Sequence, residues 1–437
     1  METLNLRLPT WKVSLFRTAQ LVLSNGRFQG VPPVSMTTVA VADPPRTVQA
    51  VAAAPAAPIT PKALTTRFLD FWLLGGASVL VWLVMISLQG FRASWAIDQH
   101  FKNLTYTAAS LSLLINYPHF LISYKLAYRR GRSFVLSHWY QLIAVPAALL
   151  AIFAVAFAFY DTPVTRLPLM AGATRTVGNW VGAANVFSGP RLGDLLFTGV
   201  FNLMLLTVGW HYTKQVFGCM MVYGYFDGYK MTQPQRDLTK RALLTIWVMN
   251  FVYTNIGGAQ NVFSQFRYYS FNLPDIAGPL SQALVLGGLA LVVYKVFYAN
   301  YRDHGAVPSV NMLVPFVALY VWWMPQTRQY EFYFLLTPMF HSLQYLAFVY
   351  KMEDTRLRGE PHRELKATAL VTGIVLAGWL AFEFVPNTLD NVLGTFSAWH
   401  MFFFFTAAML FINVHHYFID NVLWRFKDPE IRAYLLS

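Results

Sequence analysis

Long apolar segments recur along most of this chain, and they constrain its fold more than any other feature. A helix needs about 20 consecutive apolar residues to cross the hydrocarbon core of a bilayer. Ten segments of roughly this kind occur, at residues 68–90, 105–128, 134–160, 193–226, 240–258, 279–301, 309–326, 330–351, 367–386 and 396–424. The sequence therefore predicts an all-α fold, a polytopic transmembrane helix bundle of about ten helices.

The composition agrees with an integral membrane protein. Hydrophobic residues make up 56% of the chain and charged residues only 12%, whereas soluble domains are nearer one quarter charged. The net charge of +13 does not indicate a nucleic-acid partner, because the basic residues lie mostly in the loops between apolar segments. The one cysteine, Cys219, excludes disulfides within the chain, cysteine-rich zinc sites and iron–sulfur clusters.

The distribution of Lys and Arg predicts the orientation. With Lys62 and Arg67 placed in the cytoplasm, 20 basic residues from position 62 onward fall on the cytoplasmic side and seven on the other. Positively charged loops favour the cytoplasm, so both termini are expected there. We expect the chain to lie in a bacterial inner membrane.

Residues 1–61 differ in composition from the rest of the chain. "LPTWKVSLFRTAQLVL" predicts a basic amphipathic helix at the membrane surface. "VAAAPAAPITP" follows it and is typical of an extended Ala/Pro linker. Two regions are therefore expected, an N-terminal amphipathic or disordered segment at 1–61 and a transmembrane domain at 62–437.

Histidines inside the apolar segments are the candidate functional residues, because ionisable side chains within a bilayer are costly. They are His119, His211, His341, His415 and His416. His119, His341 and His415 each precede a basic residue by ten positions, at Arg129, Lys351 and Arg425. Ten helical residues span about 15 Å, so these three should share one depth. His211 joins them only if its helix tilts or protrudes.

One layer of imidazoles from separate helices is the arrangement that a metal site in a helix bundle requires. Imidazole without cysteine suits Fe, Cu or Zn. A single bis-histidine haem fits less well, and two stacked haems are disfavoured because the histidines form one layer. Each imidazole could instead bond to a neighbouring helix, or all could form a proton relay. The sequence does not decide which of His415 and His416 is the ligand.

Other polar residues lie one helical turn from these histidines. Asp420 follows His416 by four positions, the spacing that places two side chains on one helix face. It could orient the imidazole, bind the metal, or pair with Arg425 at the membrane interface. Gln344 and Tyr345 lie one turn after His341 and are further catalytic candidates. Lys214 could reach the interface, pair with a carboxylate, or contact an anionic substrate group.

Four short motifs resemble those of the Brp/Blh membrane enzymes, which cleave β-carotene to retinal. The matching stretches are "YPHF" with His119, "WHYTKQVFG" with His211, "FHSLQY" with His341, and "HHYFID" with His415, His416 and Asp420. The resemblance implies a polytopic fold and a non-haem iron held by histidines from four helices.

This chain also departs from that family. Acids in the family's first two motifs are replaced by "FLIS" and by Lys214 and Gln215, and Tyr345 stands where the family has a second histidine. The iron site is therefore carried over as an expectation, and the carotenoid substrate is not.

The leading hypothesis is an integral membrane, metal-dependent oxidoreductase, a non-haem iron oxygenase acting on a lipophilic substrate from the membrane lipid. Carotenoids, other isoprenoids and acyl chains are the candidate substrates. A proton-coupled transporter with a histidine relay and a non-catalytic haem-binding membrane subunit are the alternatives. The sequence leaves the oligomeric state open.

Overall fold

Helices dominate the computed structural model, which describes residues 62–88, 103, 107, 110–111, 114–166, 191–256, 260–263, 266–271, 273–328, 333–393, 402–425 and 428–436. The thirteen helices within them are α1 (Arg67–Phe71, Trp72–Gly76 and Ala77–Leu88), α2 (Asn116–Tyr128), α3 (Gly131–Ser137), α4 (Tyr140–Phe159), α5 (Leu192–Phe226), α6 (Gln233–Asn255), α7 (Ala277–His304), α8 (Val310–Trp323), α9 (Pro325–Arg328), α10 (Tyr333–Leu357), α11 (Arg363–Leu393), α12 (Phe403–Leu423) and α13 (Pro429–Leu436). One antiparallel hairpin pairs β1 (Gln260–Phe263) with β2 (Phe266–Tyr269). The all-α prediction is confirmed, and the segment predicted for 1–61 lies outside the described residues.

Five of these helices are long and apolar enough to cross a membrane: α4, α5, α7, α11 and Arg67–Ser87 of α1. Large apolar side chains point outward from them. Leu280 and Leu284 on α7 are 62% and 54% exposed, and Val371 on α11 is 63% exposed. Such faces are stable in lipid rather than in water, so the fold is that of a membrane-associated protein. The other predicted spans also form helices, but these are shorter or more polar.

Helix α1 is kinked at Trp72–Gly76, where the backbone of Gly75 is not helical. The Leu74 carbonyl in this kink accepts a hydrogen bond from Nε2 of Gln344 on α10, at 2.5 Å. Gly75 lies against α8, where an added Cβ would come within 2.8 Å of the Val314 carbonyl oxygen. A glycine is therefore required at this crossing, and the kink joins α1 to two neighbouring helices.

Helices α2, α5, α10 and α12 form the middle of the bundle. The 35 residues of α5 extend about 52 Å, well beyond a hydrocarbon core of roughly 30 Å. This length accounts for the position of His211, whose helix was expected to tilt or protrude. The helices around them include α1, α4, α11 and α13, so polar residues in the middle are shielded from lipid.

Ion pairs hold the helix ends on the side that carries most of the basic residues. Glu353, beyond the apolar part of α10, accepts from Arg129 at 2.9 Å and lies 3.2 Å from Lys125. Burial opposes its ionisation, but the hydrogen bond from Arg356 and these two cations outweigh burial and keep the pKa of Glu353 below its ordinary value. Arg130 pairs with Asp428 at 2.6 Å and so fixes the start of α13.

Candidate metal centre

Four helices each place one buried imidazole at the centre of the bundle. They are His119 on α2, His211 on α5, His341 on α10 and His416 on α12, and none is more than 7% exposed. The structure thus brings together residues that lie up to 297 positions apart in sequence, as His119 and His416 do.

The four rings form a closed circuit. The centroid distances around it are 4.5 Å for His119–His416, 5.0 Å for His416–His211, 4.8 Å for His211–His341 and 5.0 Å for His341–His119. Across the circuit, His119 and His211 are 6.4 Å apart. No imidazole is therefore isolated against a neighbouring helix, as separate structural histidines would be.

The described part of the chain contains two groups of potential metal ligands. Within each group, the ligand atoms all lie within 4.8 Å of one another. One consists of His119, His211 and His341, and the other of His211, His416 and Asp420. The Nε2 atoms of His211 and His341 are 3.0 Å apart. Two ligands about 2.1 Å from one ion lie roughly 3 to 4 Å from each other, so this geometry suits a shared cation.

Several buried polar atoms in this cluster lack a hydrogen-bond partner. They are both ring nitrogens of His119, Nε2 of His416 and Oδ2 of Asp420. The Asp420 oxygen lies 3.4 Å from His416 Nε2 and 3.7 Å from His211 Nε2. Each unsatisfied buried group costs about 1–3 kcal/mol, and an ionised carboxylate costs more. A metal cation would satisfy one ring nitrogen of His119 together with Nε2 of His416 and Oδ2 of Asp420, so the residues fit such a group.

Ser123 fixes the tautomer of His416. Its hydroxyl donates to the Phe120 carbonyl at 2.6 Å, and its oxygen lies 2.8 Å from His416 Nδ1. A serine has one hydroxyl proton; with that proton directed at the Phe120 carbonyl, Ser123 accepts a hydrogen bond from Nδ1–H of His416. The Nε2 lone pair of the neutral imidazole is then directed towards the cluster. A metal-binding histidine commonly has its second nitrogen held in this way.

Tyr345 holds the carboxylate of Asp420. Its hydroxyl donates to Oδ1 at 3.0 Å, and its ring lies 4.3 Å from that of His119. Because Oδ1 is engaged by Tyr345, Oδ2 faces His211 and His416. Arg425, predicted as an alternative partner of Asp420, instead donates to the Asn421 carbonyl at 3.0 Å.

Gln344 acts through Gln215 rather than directly on an imidazole. Nε2 of Gln215 donates to the His341 carbonyl at 2.9 Å and to Oε1 of Gln344 at 3.2 Å. On its other side, the His341 ring stacks on Tyr212 at a centroid distance of 3.8 Å. These contacts position His341 between α5 and α1.

His415 faces away from the cluster, although it neighbours His416 in sequence. Its Nδ1 lies 3.1 Å from the Tyr124 hydroxyl, and it belongs to neither group of ligand atoms. Consecutive residues on a helix are about 100° apart, so only one of the pair can face the other three histidines. The geometry selects His416.

The sequence did not single out Ser123 or Tyr212, and it named Gln215 only as a polar residue one turn beyond His211. A repeated spacing could have found Ser123 and the role of Gln215, because every clustered histidine is followed four positions later by a polar residue that contacts the cluster. The pairs are His119 and Ser123, His211 and Gln215, His341 and Tyr345, and His416 and Asp420. This spacing keeps both members on one helix face, so each helix contributes a ligand together with a supporting polar group.

A cavity of about 90 Å³ begins at the cluster and extends towards the basic side. His211, Tyr345 and Asp420 line its inner end, and Lys214 and Trp424 lie further along. Ile431 and Leu435 of α13 form its far wall. The cluster is therefore reached from one side by a narrow, mainly apolar space.

Comparison of the chain with protein-family models, with curated proteins and with solved structures gives no match. The features of this chain that indicate a function are therefore its buried groups of histidine and aspartate, which could hold a metal ion.

Proposed function

We propose that this chain is an integral membrane, metal-dependent oxidoreductase, a non-haem iron oxygenase that acts on a lipophilic substrate. The observation that carries the proposal is the second ligand group, in which two histidines, His211 and His416, meet one carboxylate, Asp420. Two histidines and one carboxylate are the ligand set typical of non-haem iron oxygenases. His119 and His341 adjoin the same group and are further ligands.

The donor chemistry supports iron over the alternatives, of which copper and zinc remain the next candidates. Neutral imidazole suits Fe, Cu and Zn, while a carboxylate beside it favours the harder iron. Haem fits less well. A bis-histidine haem needs a broad flat space between two imidazoles, whereas here four rings are in mutual contact.

Bound iron would supply redox chemistry and coordination positions open to dioxygen. The protein's own groups would prepare the site. Ser123 keeps the proton of His416 on Nδ1, so that Nε2 is free to bind. Tyr345 keeps its proton on the hydroxyl directed at Oδ1 of Asp420, which leaves Oδ2 as the ligand atom. The surrounding helices exclude water from reactive species.

The membrane topology belongs to the same proposal. Ten helices, both termini in the cytoplasm and a bacterial inner membrane agree with the distribution of Lys and Arg. The four histidine motifs resemble those of the Brp/Blh enzymes in order, and the contact among His119, His211, His341 and His416 supports that resemblance. Substrates taken from the membrane lipid, namely carotenoids, other isoprenoids or acyl chains, suit the apolar surroundings.

A proton-coupled transporter with a histidine relay is the second candidate. The 3.0 Å contact between Nε2 of His211 and Nε2 of His341 favours it, since one nitrogen could donate a proton to the other. A relay of this kind needs no metal, and metal content therefore separates the two functions.

The test is elemental analysis of the purified full-length chain, expressed with added metals and kept free of chelators. We expect about one equivalent of iron per chain and no Soret band. Less than about 0.2 equivalents of Fe, Cu, Zn and Mn together overturns the proposal. The matched control is His362→Asn, because His362 is exposed and asparagine tolerates its positive φ. His341→Ala should lower metal content and the control should not.

A further inference from the structure

The cavity beside the candidate metal centre contains a lysine that pairs with no carboxylate among the residues that the structure describes. Lys214 lies one helical turn after His211 on α5, and its Nζ donates to Oδ1 of Asn421 at 2.7 Å. The same ammonium group lies 4.2 Å from the centroid of the Trp210 ring. An amide oxygen and an aromatic face orient a cation without cancelling its charge. Within the described residues, no Asp or Glu oxygen lies within 4.0 Å of it.

The charges around Lys214 favour an anion. Lys240 and Arg425 are the like charges that act on it, and Asp420 is the opposing one. Asp420, however, directs Oδ1 at Tyr345 and Oδ2 at the imidazoles. The end of the cavity away from the histidines is therefore positive, and a low-dielectric space lined by one sign of charge attracts the opposite sign.

The position of Lys214 sets the orientation of a ligand. Asn421, to which its ammonium donates, lies five residues after His416, which is about 7.5 Å along α12. An anionic group on Lys214 would thus lie about 7 to 8 Å from the imidazole layer. Phe348, Trp424, Ile431 and Leu435 line the space with apolar surface.

The size of the cavity restricts the shape of the ligand. At about 90 Å³, it is smaller than the roughly 150 Å³ cavity that admits a benzene ring. A space of this volume holds only a short length of a lipid, and a straight alkyl chain has the smallest cross-section of the candidate lipids. An acyl chain with an anionic end matches both the shape and the charge.

We propose that Lys214 binds the carboxylate of an unbranched acyl-chain substrate and directs a carbon of that chain towards the histidine cluster. This inference rests on the proposed oxidoreductase and narrows its substrate class from lipophilic molecules in general to fatty acids. Lys214 is then a specificity-determining residue, and Asn421 and Trp210 hold its ammonium in place.

The test is binding of ¹³C-carboxyl-labelled hexanoate and palmitate to the detergent-solubilised, metal-loaded full-length chain, followed by NMR. Lys214→Met keeps the length of the side chain and removes its charge. Because a hydrogen bond to a charged group contributes about 1.5–3 kcal/mol, we expect carboxylate binding to weaken roughly tenfold or more. Lys214→Arg should retain most of the binding.

Two controls separate direct contact from general effects. Lys230→Met removes an exposed positive charge on the same side of the bundle and should change binding less than about twofold. The methyl ester of the same acid should bind equally to the wild type and to Lys214→Met. If only the binding of palmitate depends on Lys214, the natural ligand is a fatty acid from the membrane. If only the binding of hexanoate depends on Lys214, the natural ligand is a short free acid.

Equal affinity of the wild type and Lys214→Met for both acids overturns the inference, as does the absence of any binding by the wild type. Metal content is measured on the same samples. If the wild type holds no metal, the proposed function is wrong. If metal is present and the carboxylate affinity does not depend on Lys214, only the substrate assignment is wrong.

Discussion

Helices α11 and α12 follow one another in the chain, yet their surroundings are opposite. In α11 the most apolar window has a mean hydropathy of 1.8, and only 11% of it is buried. In α12, 13 of 21 residues are buried, among them His416 and Asp420, and the helix is not among the five apolar ones. High hydropathy marks α11 as a helix that faces lipid, but it does not do so for every helix. Helix α5, which carries His211, is among the five apolar helices, and 50% of its most apolar window is buried.

The largest effect on metal binding is expected from a substitution at the buried centre of α12. His416→Ala should reduce bound metal to less than about a tenth of the wild-type content, because it removes a ligand from the cluster and leaves Ser123 without its imidazole partner. His415→Ala alters the adjacent residue, whose imidazole faces Tyr124, and should keep most of the metal. Elemental analysis of the two variants compares them directly, and equal losses would contradict the choice of His416.

Asp420→Asn is expected to have the next largest effect. The amide keeps the shape and an acceptor for Tyr345 but removes the negative charge beside His211 and His416. We expect metal affinity to fall about 10- to 100-fold, measured by competition with a chelator. Tyr345→Phe should cost less, since Asp420 keeps its charge. An unchanged affinity in Asp420→Asn would show that this carboxylate does not face the metal.

Ser123→Ala removes a group that supports a ligand rather than a ligand itself, so it tests whether the support matters for metal binding. Without the hydroxyl, His416 loses the acceptor of its Nδ1 proton, and metal affinity should fall by roughly tenfold. Ser123→Thr keeps the hydroxyl and should restore most of the affinity. If both variants bind as the wild type does, the proton on Nδ1 is not fixed by this contact.

Along α10, two buried residues have different surroundings: His341 lies among the clustered imidazoles, whereas Glu353, beyond the apolar part of the helix, is surrounded by cations. The pKa of Glu353 lies below its ordinary value, so its ion pairs stabilise the fold at pH values above the unfolded-state pKa of about 4.3. That contribution, about 1 kcal/mol after solvent screening, is lost as the pH falls through the lower folded-state pKa. Glu353→Gln should reduce thermal stability at pH 7 and flatten its decline below pH 4.5, and a parallel decline in both proteins would contradict this.

The smallest effect is expected on the outward face of α11. Val371→Ala changes a side chain that is 63% exposed and distant from the cluster. Exposed substitutions away from special features usually change stability by less than about 0.5 kcal/mol. Metal content and thermal stability in detergent should therefore match the wild type, and a loss of metal would show that α11 has a closer role.

The sequence predicts which residues form the candidate site more accurately than it predicts which of them contact one another. His119, His341 and His415 could be matched in depth because a basic residue marks the end of each apolar segment. Rotation about each helix axis could not be read in the same way. It decides whether His415 or His416 faces the centre, and it depends on packing against α2 and α5.

Hydropathy alone also could not separate the lipid-facing helices from the central ones. Segment 396–424 was recognised by its phenylalanines, whereas its burial depends on neighbours that are distant in sequence. Ser123 was missed because a serine in an apolar helix is common, and its importance follows from contact with a residue 293 positions later. The spacing of four residues shared by all the clustered histidines was the available signal.

The kink of α1 gives this arrangement an unusual sensitivity to chain length. The backbone of Gly75 in this kink is not helical, and each residue added or removed rotates a helix by about 100°. Deleting Gly75 would remove no side chain. It would nevertheless turn Arg67–Phe71 by about 100° relative to the rest of α1, carry Asp70 away from its hydrogen bond with Tyr223 and withdraw the Leu74 carbonyl from Gln344. Single-residue deletions here should therefore be more harmful than most substitutions, and natural variants of this chain should keep the length of this helix constant.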